Sequence, residues 1–176
     1  MKKITFFVFL SLMVLATFSF ASGEIPIQVK EKPTFSYAYM SFSGSFKTMS
    51  QNIMAFMGEF FKQGLQPAGA LISVYHNSPE MVEESELKWD IGFPVSADIQ
   101  VKSPLQMATY EKKTVLEFTH QGSYDLLPTV YKKLAAYIQA NQYEMVLPTY
   151  EFYLNSPLQV KPEELLTRIE IPVKRK

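Results

Sequence analysis

The sequence of 176 residues has no cysteine, only two histidines and one tryptophan, and its 17 basic and 17 acidic residues cancel. Without cysteine the fold has no disulfides and no thiolate metal ligands, so its stability must come from a packed core. Two isolated histidines do not form a metal site and no glycine-rich phosphate loop is present, so neither a metal nor a cofactor is expected. The balanced charge lacks the basic surplus typical of nucleic-acid binding, which predicts no nucleic-acid partner.

A long uncharged segment occurs near the N-terminus, over residues 4–20, and two lysines precede it. Ser19 and Ala21 place small residues at the two positions that a signal peptidase recognises. We interpret residues 1–21 as a signal peptide, which predicts a bacterial protein exported to the periplasm or the exterior, with no stable membrane association after cleavage. An uncleaved membrane anchor is the alternative, because the uncharged run approaches the length that spans a bilayer.

The rest of the chain contains an internal duplication. Residues 25–98 align with residues 103–176 without a gap, at an offset of 78 residues. Two motifs recur at the same spacing in both copies: Tyr-x-Asn-Ser-Pro from Tyr75 and Tyr153, and Glu-Leu-x-x-x-Ile-x-x-Pro-Val from Glu86 and Glu164. The duplication predicts a single domain over residues 25–176 that is built from two copies of one unit.

Each copy has the pattern of a strand, a helix and two further strands. The predicted strands span residues 34–42, 70–75 and 88–95 in the first copy and 114–119, 149–154 and 167–173 in the second. A Gly-Ser pair precedes each predicted helix, where serine can cap the helix N-terminus. Two β-α-β-β units predict an α+β fold with pseudo-twofold symmetry, in which two helices cover one face of an antiparallel sheet and a ligand cleft lies between the halves.

Strand periodicity divides the side chains of residues 150–154 between two faces of the sheet. Tyr150, Phe152 and Leu154 form an apolar set that we expect under the helices. Glu151 and Tyr153 lie on the other face, which we expect to line the cleft. A carboxylate among aromatic rings is costly to bury, burial raises its pKa, and a bound organic cation would offset the cost. The alternative is a Glu151 at a wet rim, with Tyr153 as ordinary sheet packing.

The second copy resembles the end of the GyrI-like family. The resemblance rests on residues 150–157 (Tyr-Glu-Phe-Tyr-Leu-Asn-Ser-Pro), on residues 162–167 and on Ile-Pro-Val at 171–173. His-Gln-Gly-Ser-Tyr at 120–124 is similar to the family's His-x-Gly-x-Tyr element, and residues 91–95 are similar to its mid-domain strand. The family includes the effector-binding domains of AraC- and MerR-type transcription regulators.

The resemblance implies a duplicated β-α-β-β fold with a ligand cleft between the repeats, and members that bind hydrophobic, often cationic compounds. An acidic residue in the family's late Glu-x-Tyr strand contacts these compounds, and the matching positions here are Glu151 and Tyr153. Tyr137 stands where the family often has tryptophan in its second helix. With the repeat partner of Tyr153 and two weaker candidates for the pocket wall, the predicted ligand-binding residues are Glu151, Tyr153, Tyr75, Tyr137, Phe118 and Tyr124.

We therefore expect an exported domain that captures an amphipathic or cationic hydrophobic small molecule. The alternatives are a hydrolase of small electrophilic compounds, for which Glu151 would be the catalytic base, and an envelope protein-interaction domain. A transcription factor is not expected, since no helix-turn-helix segment precedes Ile25 and export would separate the chain from DNA. His76 and His120 are expected to be structural, and three residues of one strand face are expected in the apolar core: Trp89, Ile91 and Phe93.

Overall fold

The computed structural model describes residues 27–176, so the predicted signal peptide lies outside the described residues. No helix of the described part is both long enough and apolar enough to cross a membrane. The helices are α1 (Met49–Lys62) and α2 (Leu127–Ala140). The strands are β1 (Gln28–Lys32), β2 (Phe35–Ser43), β3 (Leu71–Tyr75), β4 (Lys88–Val95), β5 (Gln106–Tyr110), β6 (Lys113–Gln121), β7 (Tyr143–Met145), β8 (Thr149–Tyr153) and β9 (Leu166–Arg175).

The duplication is visible element by element in the structure. Strands β6 and β8 begin 78 residues after β2 and β3, and α2 begins 78 residues after α1 with the same length of 14 residues. The prediction of a duplicated α+β fold is confirmed. Each repeat also has a first strand, β1 or β5, that the sequence pattern did not reveal. Strand β1 is mostly polar and β5 has adjacent apolar residues, so neither shows the alternation that marks a half-buried strand.

The two repeats form one antiparallel sheet with the strand order β1-β6-β9-β8-β3-β4-β2-β5, and β7 pairs separately with β9. Each first strand pairs with the other repeat, β1 with β6 and β5 with β2. The centre of the sheet is the pair β3 and β8, where Ser73 lies directly opposite Glu151. These two residues are 78 positions apart, so the pseudo-twofold axis passes between them.

The sheet is strongly curled. Strand β5 lies four strands from β8 in the sheet order, which would separate them by about 19 Å in a flat sheet. The ring centroids of Tyr110 on β5 and Tyr150 on β8 are nevertheless 4.7 Å apart. The sheet therefore closes over its concave face, and an aromatic cluster fills that face, so the prediction that the face opposite the helices lines the ligand cleft is wrong. Tyr150 and Phe152 belong to this cluster, so the prediction that they pack under the helices is wrong, and Leu154 is exposed.

The helices cover the convex face, and each packs on its own repeat. Phe56 and Phe60 of α1 contact Phe93 of β4, with ring centroids 5.5 and 5.0 Å apart. Trp89 and Ile91 belong to the same buried cluster, which confirms their assignment to the core. Helix α2 packs on an equivalent cluster from β6 and β9. Two separate clusters leave the region of the pseudo-twofold axis between them.

The recurring Asn-Ser-Pro turns have the same role in both repeats. The Asn77 side chain donates to the carbonyl of Glu86 and accepts from the amide of Lys88, both at 2.9 Å. Asn155 makes the equivalent bonds to Glu164 and Leu166, also at 2.9 Å. Each asparagine thus joins the end of a central strand to the start of the next strand, which fixes where the two central strands end.

The Gly-Ser pairs before the helices shape two equivalent turns. Gly44 and Gly122 have φ values of 102° and 141°, a left-handed region that glycine adopts without strain. The hydroxyls of Ser45 and Ser123 then accept from backbone amides two residues later and cap a short 3₁₀ turn. The aromatic residues that follow, Phe46 and Tyr124, are thereby directed toward the axis.

Candidate functional site

Glu151 lies at the centre of the sheet and is only 3 % exposed. Its carboxylate accepts hydrogen bonds from three tyrosine hydroxyls: Tyr75 at 3.1 Å, Tyr153 at 3.0 Å and Tyr131 at 3.0 Å. We call these three residues the cage tyrosines. Because Tyr131 belongs to α2, Glu151 is on the helix-covered face, and the prediction that it lies opposite the helices is wrong. The alternative of a wet rim is also wrong, since the carboxylate is buried.

Two of the cage tyrosines are related by the pseudo-twofold axis. Tyr75 ends β3 and Tyr153 ends β8, and their hydroxyls approach each other to 3.3 Å. The symmetry is broken at the two positions that give the site its chemistry. Ser73 occupies the position equivalent to Glu151, and Ile53 of α1 occupies the position equivalent to Tyr131. One carboxylate therefore serves a site to which both repeats contribute rings.

Burial dominates the electrostatics of this site. It raises the pKa of Glu151, although the three hydroxyl donors oppose the shift. It also raises the pKa of each cage tyrosine well above 10, and the nearby Glu151 charge adds to this effect. The cage tyrosines therefore remain protonated donors at neutral pH. No cation from residues 27–176 contributes to the pKa of Glu151.

The other buried acids of the described chain do have basic partners. Glu170, which is 1 % exposed on the concave face, lies 2.8 Å from Nζ of Lys32 and 2.9 Å from Nε of Arg168. Asp90 bonds to His76 at 2.7 Å, and this bond raises the pKa of His76. Glu151 is thus the exception among the buried acids of residues 27–176.

Two further rings extend the aromatic surround of the cage. Tyr124 meets Tyr153 edge to face with centroids 5.5 Å apart, and Phe46 meets Tyr75 in the same way at 5.4 Å. The two contacts are related by the same offset of 78 residues. A carboxylate that has no cationic partner among the residues described, and that electron-rich rings surround, has the chemistry that holds an organic cation.

The structure brings together four of the six residues predicted to bind ligand: Glu151, Tyr153, Tyr75 and Tyr124. Phe118 and Tyr137 pack instead in the apolar cluster below α2. Sequence reasoning missed Tyr131, although a signal was available. It lies four residues after Leu127 and three before Leu134, which is the spacing of a buried helical stripe.

Neither histidine hydrogen-bonds to the carboxylate of Glu151. His76 follows β3 and bonds to Asp90, and His120 is buried with its ring nitrogen 3.3 Å from the carbonyl oxygen of Ser123. No group of three or more metal-binding side chains occurs within residues 27–176. The chemistry of the site is therefore that of its carboxylate and its hydroxyl and aromatic surround.

A curled antiparallel sheet, two helices on its convex face and a polar centre enclosed by aromatic rings define an α+β domain of the small-molecule-binding class. The chain belongs to the GyrI-like family, because the model of the GyrI-like small molecule binding domain matches residues 25–174. A search of curated proteins finds no match.

Solved structures show the same fold at low sequence identity. The EcmrR C-terminal domain is 20 % identical with a TM-score of 0.77, over 86 % of this chain and 99 % of that chain. In the EcmrR–DNA complex the match is 18 % identical with a TM-score of 0.74, over 85 % of this chain and 57 % of that chain, so this chain spans little more than half of EcmrR.

Two further structures with this fold are a ligand complex and a hydrolase. SAV2435 bound to tetraphenylphosphonium is 14 % identical with a TM-score of 0.57, over 85 % of this chain and 94 % of that chain. A hydrolase encoded by lin2189 from Listeria innocua is 10 % identical with a TM-score of 0.63, over 88 % of this chain and 95 % of that chain. At such low sequence identity, the structural similarity establishes a shared fold and nothing further.

Proposed function

We propose that the protein captures an amphipathic or hydrophobic organic cation, with Glu151 as its counter-charge and the cage tyrosines as its aromatic surround. The observation that carries this proposal is a carboxylate that is 3 % exposed and has no basic partner within residues 27–176. An ionised carboxylate is expensive to bury without a compensating charge. A bound cation supplies that charge and also gains attraction from the ring faces.

The comparisons support the proposal in two ways. The family is described as a small-molecule-binding domain. SAV2435, which shares the fold, is seen with tetraphenylphosphonium, a lipophilic cation. Tetraphenylphosphonium is therefore the first probe to use. Its four phenyl groups can contact tyrosine and phenylalanine rings, while its positive charge compensates the charge of Glu151.

Calorimetric titration of residues 25–176 with tetraphenylphosphonium tests the proposal. We expect saturable binding to the wild type and a loss of at least about 30-fold in affinity for Glu151→Gln, which corresponds to about 2 kcal/mol. Glu117→Gln is the matched control, because Glu117 is a partly buried acid paired with Lys30 on the concave face. It should bind as the wild type does. Equal affinity of the wild type and Glu151→Gln would rule out the assigned role of Glu151.

Hydrolysis is a second candidate, and the raised pKa of Glu151 favours it. A carboxyl group transfers protons best when its pKa lies near the ambient pH. Capture and turnover differ in the fate of the ligand. Mass spectrometry after long incubation should recover a captured ligand intact, whereas a substrate would be converted by the wild type and left unchanged by Glu151→Gln.

We further propose that the protein acts outside the cytoplasm. Support comes from the sequence alone, namely the basic start, the uncharged run and the small residues that precede Ser22. Expression of the full chain in a bacterium, followed by fractionation and N-terminal sequencing, tests this. We expect a mature protein that begins at Ser22 in the extracytoplasmic fraction. Recovery of the uncleaved chain in the membrane fraction would instead support the anchor alternative.

A further inference from the structure

Trp89 has a buried hydrogen-bond donor that the described part of the chain leaves unpaired. It is the single tryptophan of the chain, and its side chain is 0 % exposed. Its indole nitrogen Nε1 has no acceptor among residues 27–176. Leaving a buried donor unpaired costs about 1–3 kcal/mol, so such groups are rare and call for an explanation.

The symmetry of the fold relates this donor to a second unpaired group. Thr167 is 78 positions after Trp89 and is also 0 % exposed. Its hydroxyl likewise has no hydrogen-bond partner in the described chain. Trp89 lies directly opposite Tyr75 in the sheet, and Thr167 lies directly opposite Tyr153. The position beside each of the two symmetric cage tyrosines thus has a polar atom without a partner in residues 27–176.

Phe46 connects the unpaired indole with the cage and with the surface. Its ring meets Trp89 edge to face at 5.0 Å and Tyr75 at 5.4 Å. The same ring borders a surface cavity of about 420 Å³, which Leu87 and Val82 also line. Phe46 follows the turn at Gly44, where the backbone has a left-handed conformation. A ligand that displaced this one ring from the cavity side would meet both Tyr75 and Trp89.

We propose that the indole N–H of Trp89 donates to an acceptor atom of the bound ligand. This inference rests on the proposed function and narrows its ligand class. The ligand is an organic cation that also has a carbonyl, ether or hydroxyl oxygen. This oxygen is separated from the charge by about the length of one aromatic side chain, because Tyr75 bonds to Glu151 and lies opposite Trp89. A cation without an acceptor would gain from Glu151 but leave the indole N–H unpaired.

A matched pair of probes isolates the acceptor. (4-Acetylphenyl)triphenylphosphonium has a carbonyl where its isostere, (4-isopropenylphenyl)triphenylphosphonium, has a methylene group, and both have the same charge. We expect the wild type to bind the acetyl compound about tenfold more tightly, the value of one hydrogen bond to a donor that is otherwise unpaired. Because the chain has a single tryptophan, a ¹⁵N-labelled sample gives one indole N–H resonance, and the acetyl compound alone should move it downfield.

Trp89→Phe provides the variant arm, since it keeps an aromatic ring and removes the donor. Both probes should still bind, and the preference for the acetyl compound should disappear. A preference that survives in Trp89→Phe, or equal movement of the indole resonance with both probes, would overturn the inference and leave the proposed function intact. Absence of binding by both probes would overturn both. If Trp89→Phe does not fold, the indole resonance of the wild type decides the question.

Discussion

Lowering the pH is expected to release a bound cation at a higher pH than an ordinary glutamate would allow. Burial raises the pKa of Glu151 above the ordinary value of 4.5. As the pH falls through this raised pKa, the carboxyl group takes up a proton and loses the charge that holds the cation. Affinity should then fall by up to about tenfold per pH unit. Calorimetric titration with tetraphenylphosphonium between pH 4 and pH 8 measures this dependence.

The stability of the ligand-free protein is expected to change in the opposite direction, increasing as the pH falls. The folded state holds the Glu151 proton more tightly than the unfolded state does, so this group contributes stability below the unfolded pKa and loses that contribution as the pH rises through the folded pKa. Between the two pKa values the loss approaches about 1.4 kcal/mol per pH unit. The cage tyrosines, with pKa values well above 10, do not titrate in this range.

Glu151→Gln separates the two effects. The variant has no titrating group at this position, and its amide can accept from and donate to the cage hydroxyls. It should be more stable than the wild type at pH 8 by at least about 1 kcal/mol, because it buries no charge. The difference in free energy of unfolding should shrink toward low pH. Since His76 is present in both proteins, its titration cancels in the comparison. A wild type that gained stability relative to the variant as the pH rose would contradict this account.

The sequence predicts the site better than it predicts the surroundings of the site. The duplication and the alternation along β8 were enough to place Glu151, Tyr153 and Tyr75 together, because one offset relates both central strands. Alternation divides a strand into two faces, but it does not show which face the helices cover. The curl of the sheet buries the second face as well, so Tyr150 and Phe152 are as buried as residues that lie under a helix.

The two first strands were missed for a related reason. Residues 28–32 and 106–110 lie at the edges of the sheet and show no alternation of apolar and polar residues. Their position depends on pairing with the other repeat, β1 with β6 and β5 with β2. A contact between residues so far apart in sequence leaves no local pattern in either strand. For Tyr131 the helical spacing does mark a buried face, but the bond to Glu151 depends on how α2 lies across the central strands, which that spacing does not show.

A methyl group at Gly92 is expected to destabilise the fold by about 3 kcal/mol, the upper end of the range for overpacking. Gly92 lies in β4, opposite Ile72 of β3 and Tyr39 of β2. A Cβ atom there would lie 2.7 Å from the carbonyl oxygen of Ala38 and 3.1 Å from Cβ of Tyr39. Both are held by the strand backbone and cannot rotate away. Gly92→Ala must therefore push β2 away from β4.

The second repeat shows that the close approach of β2 to Gly92 is a local feature of β4. The position equivalent to Gly92 is Glu170, whose side chain fits on the concave face beside Tyr110 and Lys32. Gly58→Ala is the control, since Gly58 is exposed in α1 and a Cβ atom there meets nothing within 4 Å. It should stabilise the protein by up to about 1 kcal/mol. Urea unfolding of both variants measures the contrast, and a Gly92→Ala variant as stable as the wild type would show that β2 and β4 can separate freely.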